Sequence, residues 1–447
     1  MAGHLFILGL FALTGCHQRL SEGERRDVIW TPVVDSAGGE QLRFIESYGL
    51  QIETGETASD KLLTLPAMRR LVLETDPAVD IARGELAAAT ALAGGSGRWA
   101  DPELSGRILT NEDGQTEMEG ALLFAVPIGG HKRAEGQVAS IEAELARIKY
   151  DEACKRAVRA LDNELSRLSW AERRLAVHID LAGRSAYLAD LTRQRRAAAV
   201  ADPLDVALIL ADAAHDQRAV VQSQREVDNI QRRLRLMLGL APGKGDFART
   251  NLEQPGENLD LATAETAYAH RDSWLAAEAT YRSAEWNAAR YSRARIPDLV
   301  LGPAFSGKRS EVNYGFSLGF TLPIFSGERS NYQAALARRD AAFTALQAEK
   351  RLANVELTNQ LAMIQSILHE LAELEGEPLA AAEAAVALAG ERYEAGQIDI
   401  LLLLSTHRSY SSLILEILDL YLARWQALLD LEQTVGHSLR GQEALQR

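Results

Sequence analysis

The sequence predicts a mixed α/β membrane protein in which four membrane-type β-strands are joined to helices far too long for a compact domain. Three observations predict it. The first is a duplicated order of elements. Roughly residues 100–240 read as two short alternating strands, a proline-marked exit, a very long helix, a break and a return helix; roughly 296–437 read the same way again. Pro127 and Pro323 mark the exits 196 positions apart, and Asp205 and Asp399 follow the breaks 194 apart. A period of that size means two copies of one unit rather than a solenoid of small repeats. The second observation is alternation in the strands. Tyr314, Phe316, Leu318, Phe320 and Leu322 alternate with Gly315, Ser317, Gly319 and Thr321. Large apolar side chains therefore fall on one face and small or polar ones on the other. That pattern suits a strand with lipid outside and water inside; half of a β-sandwich is the competing reading. The third is helix length. From about His131 to Ala198 no proline occurs, which at the helical rise is roughly 100 Å.

The N-terminal stretch from Leu5 to Thr14 is apolar but too short to span a bilayer. It ends in Leu13-Thr14-Gly15-Cys16, which resembles a bacterial lipoprotein signal. On that resemblance residues 1–16 are a signal peptide and Cys16 is the lipidated residue; a plain signal peptide with an incidental cysteine is the alternative. Residues 17–58 are polar and irregular. The first copy, 59–240, opens with a helical region from about Ser59 to Ala93, closed by Gly94-Gly95-Ser96-Gly97. Strands follow at about 102–126 around the turn Asn111–Gly114, then a helical hairpin at about 131–240. Residues 241–260, rich in proline and glycine, form a linker. The second copy, 261–437, has a helix from about Ala262 to Arg293, strands at about 297–323 and a hairpin at about 327–437. Residues 438–447 are a tail.

The long helices carry narrow apolar seams. Val158, Leu161, Leu165 and Leu168 step by 3, 4 and 3; Leu357, Leu361, Ile364, Leu368 and Leu371 step by 4, 3, 4 and 3. The return helices repeat this with Val227, Ile230, Leu234 and with Leu413, Ile417, Leu420. This is the spacing of a coiled coil. Pro378 must kink or break the second long helix, and Gly183 sits at a comparable place in the first. The far tips of the hairpins are Val200–Asp205 and Tyr393–Leu401. Gly396 suits a left-handed C-cap. Asp202 suits an N-cap, with Pro203 at the first helical position.

Composition excludes several function classes. The chain has 447 residues and a formal charge of −14, which argues against nucleic acid as a partner. Two cysteines do not form a disulfide framework, and Cys154, inside a helical stretch, reads as a small packing residue. No later apolar run reaches the length of a helical membrane span. Gly243-Lys244-Gly245 lacks the spacing of a phosphate loop. The nine histidines are scattered without a pair at metal-ligand spacing, and no catalytic triad stands out. No catalytic residue, cofactor or metal ligand is therefore expected, and the protein is not read as an enzyme. Only four strands occur, and four strands cannot close into a barrel, although open edges are not tolerated in lipid. Strands that span a membrane here need several copies of the chain to share one barrel.

The motifs Leu322-Pro-Ile-Phe-Ser-Gly-Glu-Arg329, Val126-Pro-Ile-Gly-Gly-His-Lys-Arg133 and Arg392-Tyr-Glu-Ala-Gly396-x-x-Asp399, in this order and duplication, resemble the TolC-type outer-membrane efflux family. Ala100-Asp-Pro102-Glu-Leu104 and Arg295-Ile-Pro-Asp298 are similar to its heavy-metal branch. The resemblance runs from about Leu62 to Gly436. It implies a homotrimer whose four strands per chain build one twelve-stranded barrel among outer-membrane lipids, with the helices forming a periplasmic tunnel. It also implies a periplasmic adaptor at the hairpin tips and an inner-membrane pump of the resistance-nodulation-division type. The function implied is a passive exit duct, with heavy-metal cations the favoured cargo over drugs and a type I secretion duct a further option. On the same resemblance Gly396 and Gln397 match the family's tip, while Val200 and Ala201 sit at a tip without that glycine. Asp202, Asp205 and Asp399 are candidates for the constriction and docking region; the alternative for these carboxylates is helix capping and favourable placement at the helix dipole. A reading from a different class is a coiled-coil lipoprotein tethering layers across the periplasm.

Overall fold

The computed structural model describes residues 63–110, 116–240, 271–308, 311–320 and 327–435. Cys16 and its signal, residues 17–58, the turn at 111–114, the linker at 241–260, Leu322, Pro323 and the tail at 438–447 lie outside the described residues.

Two helices, α1 (Leu65–Thr75) and α2 (Pro77–Gly95), replace the single helical region expected from about Ser59 to Ala93. Asp76 separates them. Its backbone N–H bonds to the carbonyl of Val72, and its side chain accepts from Ala78 N at 2.7 Å. One residue thus ends a helix and caps the next, with Pro77 at the first position of α2, where its missing N–H has no intrahelical partner to lose.

Strands β1 (Glu103–Thr110) and β2 (Thr116–Val126) lead into α3 (His131–Ala197) and α4 (Pro203–Met237). Helix α5 (Asp272–Arg293) then leads to β3 (Leu299–Lys308) and β4 (Glu311–Phe320). Helices α6 (Glu328–Glu375), α7 (Glu377–Glu394) and α8 (Ile400–Val435) complete the described chain. The four strands form one antiparallel sheet in sequential order, so β2 and β3, from opposite halves of the chain, are the central neighbours.

Helix α3 runs unbroken for 67 residues. It passes through Gly183, whose missing side chain has open space around it. A helical glycine is unfavourable by about 1 kcal/mol, and the burial of Leu181, Ala182 and Ser185 around it overrides that. The second long helix does break, at Gly376, two residues before Pro378. Pro378 has no N–H to donate, and its ring would strike the carbonyl four residues earlier.

The expected seams are the packing surfaces. Val158, Leu161, Leu165 and Leu168 are buried, as are Val227, Ile230 and Leu234 on α4. Leu357, Ile364, Leu428 and Leu431 cluster between α6 and α8, with Leu361 and Leu368 packed against them. Ile367, Leu371 and Ile417 form a further cluster with Leu413 and Leu420. Cys154 is a buried free thiol. Burial pushes its pKa up to about 11, with Asp151 adding to the rise. The described helices include none long and apolar enough to cross a membrane.

Candidate functional site

The sheet has two chemically distinct faces. Directly opposed residues of an antiparallel pair share a face, so the register assigns every side chain. On β4, Val312, Tyr314, Phe316, Leu318 and Phe320 share one face. Their partners on β3 are Gly307, Phe305, Pro303, Leu301 and Leu299. The same face continues on β2 with Met118, Gly120, Phe124 and Val126, and on β1 with Ile108, Gly106 and Leu104. The opposite face carries Glu103, Ser105, Arg107, Glu117, Glu119, Ala121, Ser306, Asn313 and Ser317, interspersed with Leu109, Leu123 and Val300. Four of the five residues expected to face lipid are strongly exposed: Tyr314 85%, Phe316 67%, Leu318 64% and Phe320 57%.

One irregularity marks the centre of this sheet. Pairing of β2 with β3 lapses between Ala121–Ala304 and Phe124–Leu301. Pro303 lies in the gap and has no N–H for the ladder. Gly302 comes so close to β2 that a Cβ there would lie 1.8 Å from the carbonyl oxygen of Leu122. No other residue fits at that position.

At the far end, each hairpin turns through the same local geometry. The N–H groups of Ala199 and Val200 bond to the carbonyls of Arg196 and Arg195, both at 2.9 Å; those of Gly396 and Gln397 bond to Tyr393 and Arg392 at 2.9 and 2.8 Å. This is the paired closure of a helix C-terminus by a left-handed residue. That residue is Gly396 (φ 72°) in one hairpin and Ala199 (φ 62°) in the other. The tip without glycine therefore keeps the shape and places an alanine in a conformation that favours glycine.

The tip aspartates cap helices. Asp202 Oδ1 accepts from Leu204 N at 2.8 Å, and Asp205 Oδ2 accepts from Asp202 N at 3.2 Å, a reciprocal capping box. Asp399 Oδ1 accepts from Leu402 N at 2.8 Å at the start of α8. The structural counterpart of Asp399 is thus Asp202, 197 positions away, rather than Asp205. The left-handed pair Ala199 and Gly396 has the same 197-residue offset.

The two hairpins are clasped near these tips. Leu188, Ala189, Ile209, Ala389, Tyr393, Ile400, Leu403 and Leu404, from all four hairpin helices, form one core. Within it the Tyr393 hydroxyl is 2.8 Å from Thr192 Oγ1. The Arg195 guanidinium lies over the Tyr393 ring at 4.6 Å and donates to the Tyr393 carbonyl. The Tyr187 hydroxyl donates to Glu394 at 2.9 Å, which raises its pKa. Higher on the same seam, Trp170 stacks on Tyr421 at 5.4 Å and Arg174 pairs with Asp419 at 3.1 Å.

Between these contacts the fold assembles a group that the sequence reading did not anticipate. Asp212 and Asp216 lie one turn apart on α4, and His407 faces them from α8; one donor atom from each lies within 4.8 Å of the others. Asp212 is 4% exposed and His407 3%. Burial lowers the His407 pKa against the opposing pull of Asp216 and Asp212. The four-residue spacing of the two aspartates was legible in the sequence. Their meeting with a histidine some 190 positions later was not.

Comparison with known proteins places this geometry. Residues 263–437 match the family model described as outer membrane efflux protein. No curated protein matches the sequence significantly. Among solved structures, CusC superposes with a TM-score of 0.73 at 17% identity, covering 87% of this chain and 96% of that one. The outer-membrane channel OprN gives 0.74 at 18% identity, covering 88% and 97%. The CmeC outer membrane channel of Campylobacter jejuni gives 0.69 at 14% identity, covering 89% and 93%. The second half of the chain thus carries the sequence signature of the outer membrane efflux proteins, and close to nine-tenths of its length is covered by the fold of solved outer-membrane channels.

Proposed function

We propose that the chain is one protomer of an outer-membrane exit duct in a tripartite efflux system of a Gram-negative bacterium. The observation that carries this reading is the sheet. Its apolar face runs unbroken from β1 to β4 while the other face carries Glu, Arg, Ser and Asn. Strands of 8–11 residues match the length of a membrane-crossing strand. β1 and β4 are both edges within one chain, and lipid does not tolerate open edges. The smallest closed membrane barrels have about eight strands, so one copy is too few. Three copies supply twelve strands, as the family resemblance implies.

On this reading the duct is passive, an adaptor docks at the tips around Gly396, Gln397 and the first tip, and an inner-membrane pump provides the energy. Residues 59–240 and 261–437 are two copies of one unit, a division supported by the constant 197-residue offset of the tip positions. Lipidation at Cys16 would anchor the chain. Heavy-metal cations are the proposed cargo, on the motifs around Pro102 and Pro297 and a strongly acidic chain that focuses cations.

The test is direct. Purified protein should migrate as a heat-resistant trimer, carry β signal in the membrane fraction and open channels in planar bilayers. A water-soluble monomer without channel activity would end the proposal. Deleting the gene should lower tolerance to at least one of cobalt, zinc, cadmium, copper and silver. Unchanged tolerance to all five with raised sensitivity to organic antibiotics would transfer the protein to drug efflux.

A further inference from the structure

The group formed by Asp212, Asp216 and His407 has more than proximity to recommend it. The imidazole that supplies its nitrogen is 97% removed from solvent, and its Nε2 has no hydrogen-bond partner among the described residues. A buried polar nitrogen without a partner is unfavourable, and native structures rarely leave one without a reason. The surrounding charges do not supply the partner. Asp212 Oδ1 accepts both Nε and Nη2 of Arg408, at 2.9 and 2.7 Å, which leaves Oδ2 outside that ion pair. Asp180 is matched by Arg184 at 2.9 Å. Asp216 instead accepts the hydroxyl of Ser185, and its other oxygen lies 3.6 Å from His215 Nδ1. A carboxylate held by a hydroxyl, and by no arginine or lysine among the described residues, therefore stands beside a buried imidazole nitrogen that has no partner.

We propose that Asp212, Asp216 and His407 bind a divalent transition-metal ion of the zinc, cobalt and nickel class at the junction of the two helical hairpins. One imidazole and two carboxylates make a three-ligand set with room for water in the remaining positions, the arrangement of an open zinc-type centre. The imidazole disfavours calcium and magnesium, and the lack of thiolate or thioether in the set disfavours copper(I). Donors around a tetrahedral ion at zinc bond lengths are about 3.4 Å apart. Closing from 4.8 Å to that separation is a change that side-chain torsions can supply. Ser185 on Asp216 and Arg408 on Asp212 then orient the two carboxylates from outside. The ion would join α4 of the first hairpin to α8 of the second, about 14 Å along α4 from its capped start at Pro203. It is a resident tie between hairpins, and the proposal does not depend on what the duct exports.

The experiment uses the full chain purified in detergent, stripped with chelator and titrated with Co²⁺. The expected result is one Co²⁺ per chain, a visible ligand-field band that Zn²⁺ displaces, and an X-ray absorption signature of imidazole scattering in the unaltered protein. Asp216→Asn and His407→Gln should each weaken binding by more than about tenfold with helical circular dichroism unchanged. Absence of saturable one-to-one binding, or a bound ion with oxygen ligands only, overturns the proposal without recourse to any variant. So does a double variant, folded by circular dichroism, that binds as the unaltered chain does. Channel activity is read separately in bilayers, so a failure here leaves the exit-duct reading untouched.

Discussion

Replacing Tyr393 by phenylalanine and Thr192 by valine, singly and together, isolates the polar contact that clasps the hairpin ends. The Thr192 hydroxyl has one hydrogen, and it goes to the Leu188 carbonyl at 2.8 Å. The Tyr393 hydroxyl must therefore be the donor in the 2.8 Å contact between the two. Tyr393→Phe removes this donor and leaves nothing buried and unpaired, so it costs about 1 kcal/mol. Thr192→Val removes the acceptor and strands a phenol that is only 3% exposed, which costs about 1–3 kcal/mol. The double variant leaves no phenol unpaired and should cost no more than about 1 kcal/mol, a coupling of about 1–3 kcal/mol. Tyr393→Ala also empties the ring's place in the tip core and removes the surface beneath Arg195, for about 3–5 kcal/mol. Denaturant titration followed by circular dichroism measures the first three. If the clasp holds the tips together, each 1 kcal/mol lost also raises the open-to-closed ratio in bilayers about fivefold. Strictly additive single variants, or a Thr192→Val milder than Tyr393→Phe, would refute the assigned donor. Tyr393→Phe as damaging as Tyr393→Ala would refute the division between bond and ring.

Four further outcomes follow from the same coordinates. Ala199→Gly should stabilise the first tip by about 1 kcal/mol and Gly396→Ala destabilise the second by a similar amount, since both positions have positive φ; thermal melts decide it. Gly302→Ala drives a methyl group into the β2 backbone and should abolish assembly of the heat-resistant oligomer while leaving the helical signal largely intact; normal oligomer yield would count against the strand pairing. Arg69 grips the fully buried carboxylate of Asp162 at 3.2 and 2.8 Å, so Arg69→Ala should cost about 3–5 kcal/mol, and a joint apolar replacement of both should recover much of that in a melt. The Cys154 thiol, raised from 9.0 to about 11 by burial, ionises first in the unfolded chain. Below pH 9 both states keep the proton and stability is whole; between about pH 9 and 11 the unfolded state gains by ionising and stability falls. Cys154→Ala should flatten this decline, and an unchanged slope would show that the thiol does not set it.

Local chemistry made much of this protein legible in its sequence. Period-two alternation placed Tyr314 to Phe320 on one face, steps of three and four placed Val158 to Leu168 in a seam, and Asp202-Pro203 marked a helix start. Each signal involves residues a few positions apart, whose relation the backbone geometry of strand or helix dictates wherever the segment sits. Asp76-Pro77 carried the same N-cap and first-position signal as Asp202-Pro203, and could have revealed the division between α1 and α2. Gly183, at the place comparable to Pro378, does not interrupt α3, because neighbouring burial outweighs a preference of about 1 kcal/mol.

What only the tertiary structure decided lies between segments far apart in the chain. The pairing of β2 with β3, the gap at Gly302 and Pro303, the grip of Arg69 on Asp162, the donor role of Tyr393, and the meeting of Asp212 and Asp216 with His407 have no local periodicity. Each depends on which helix or strand comes to lie beside which. That choice is made by packing and desolvation summed over whole faces, so no short stretch of residues can announce it.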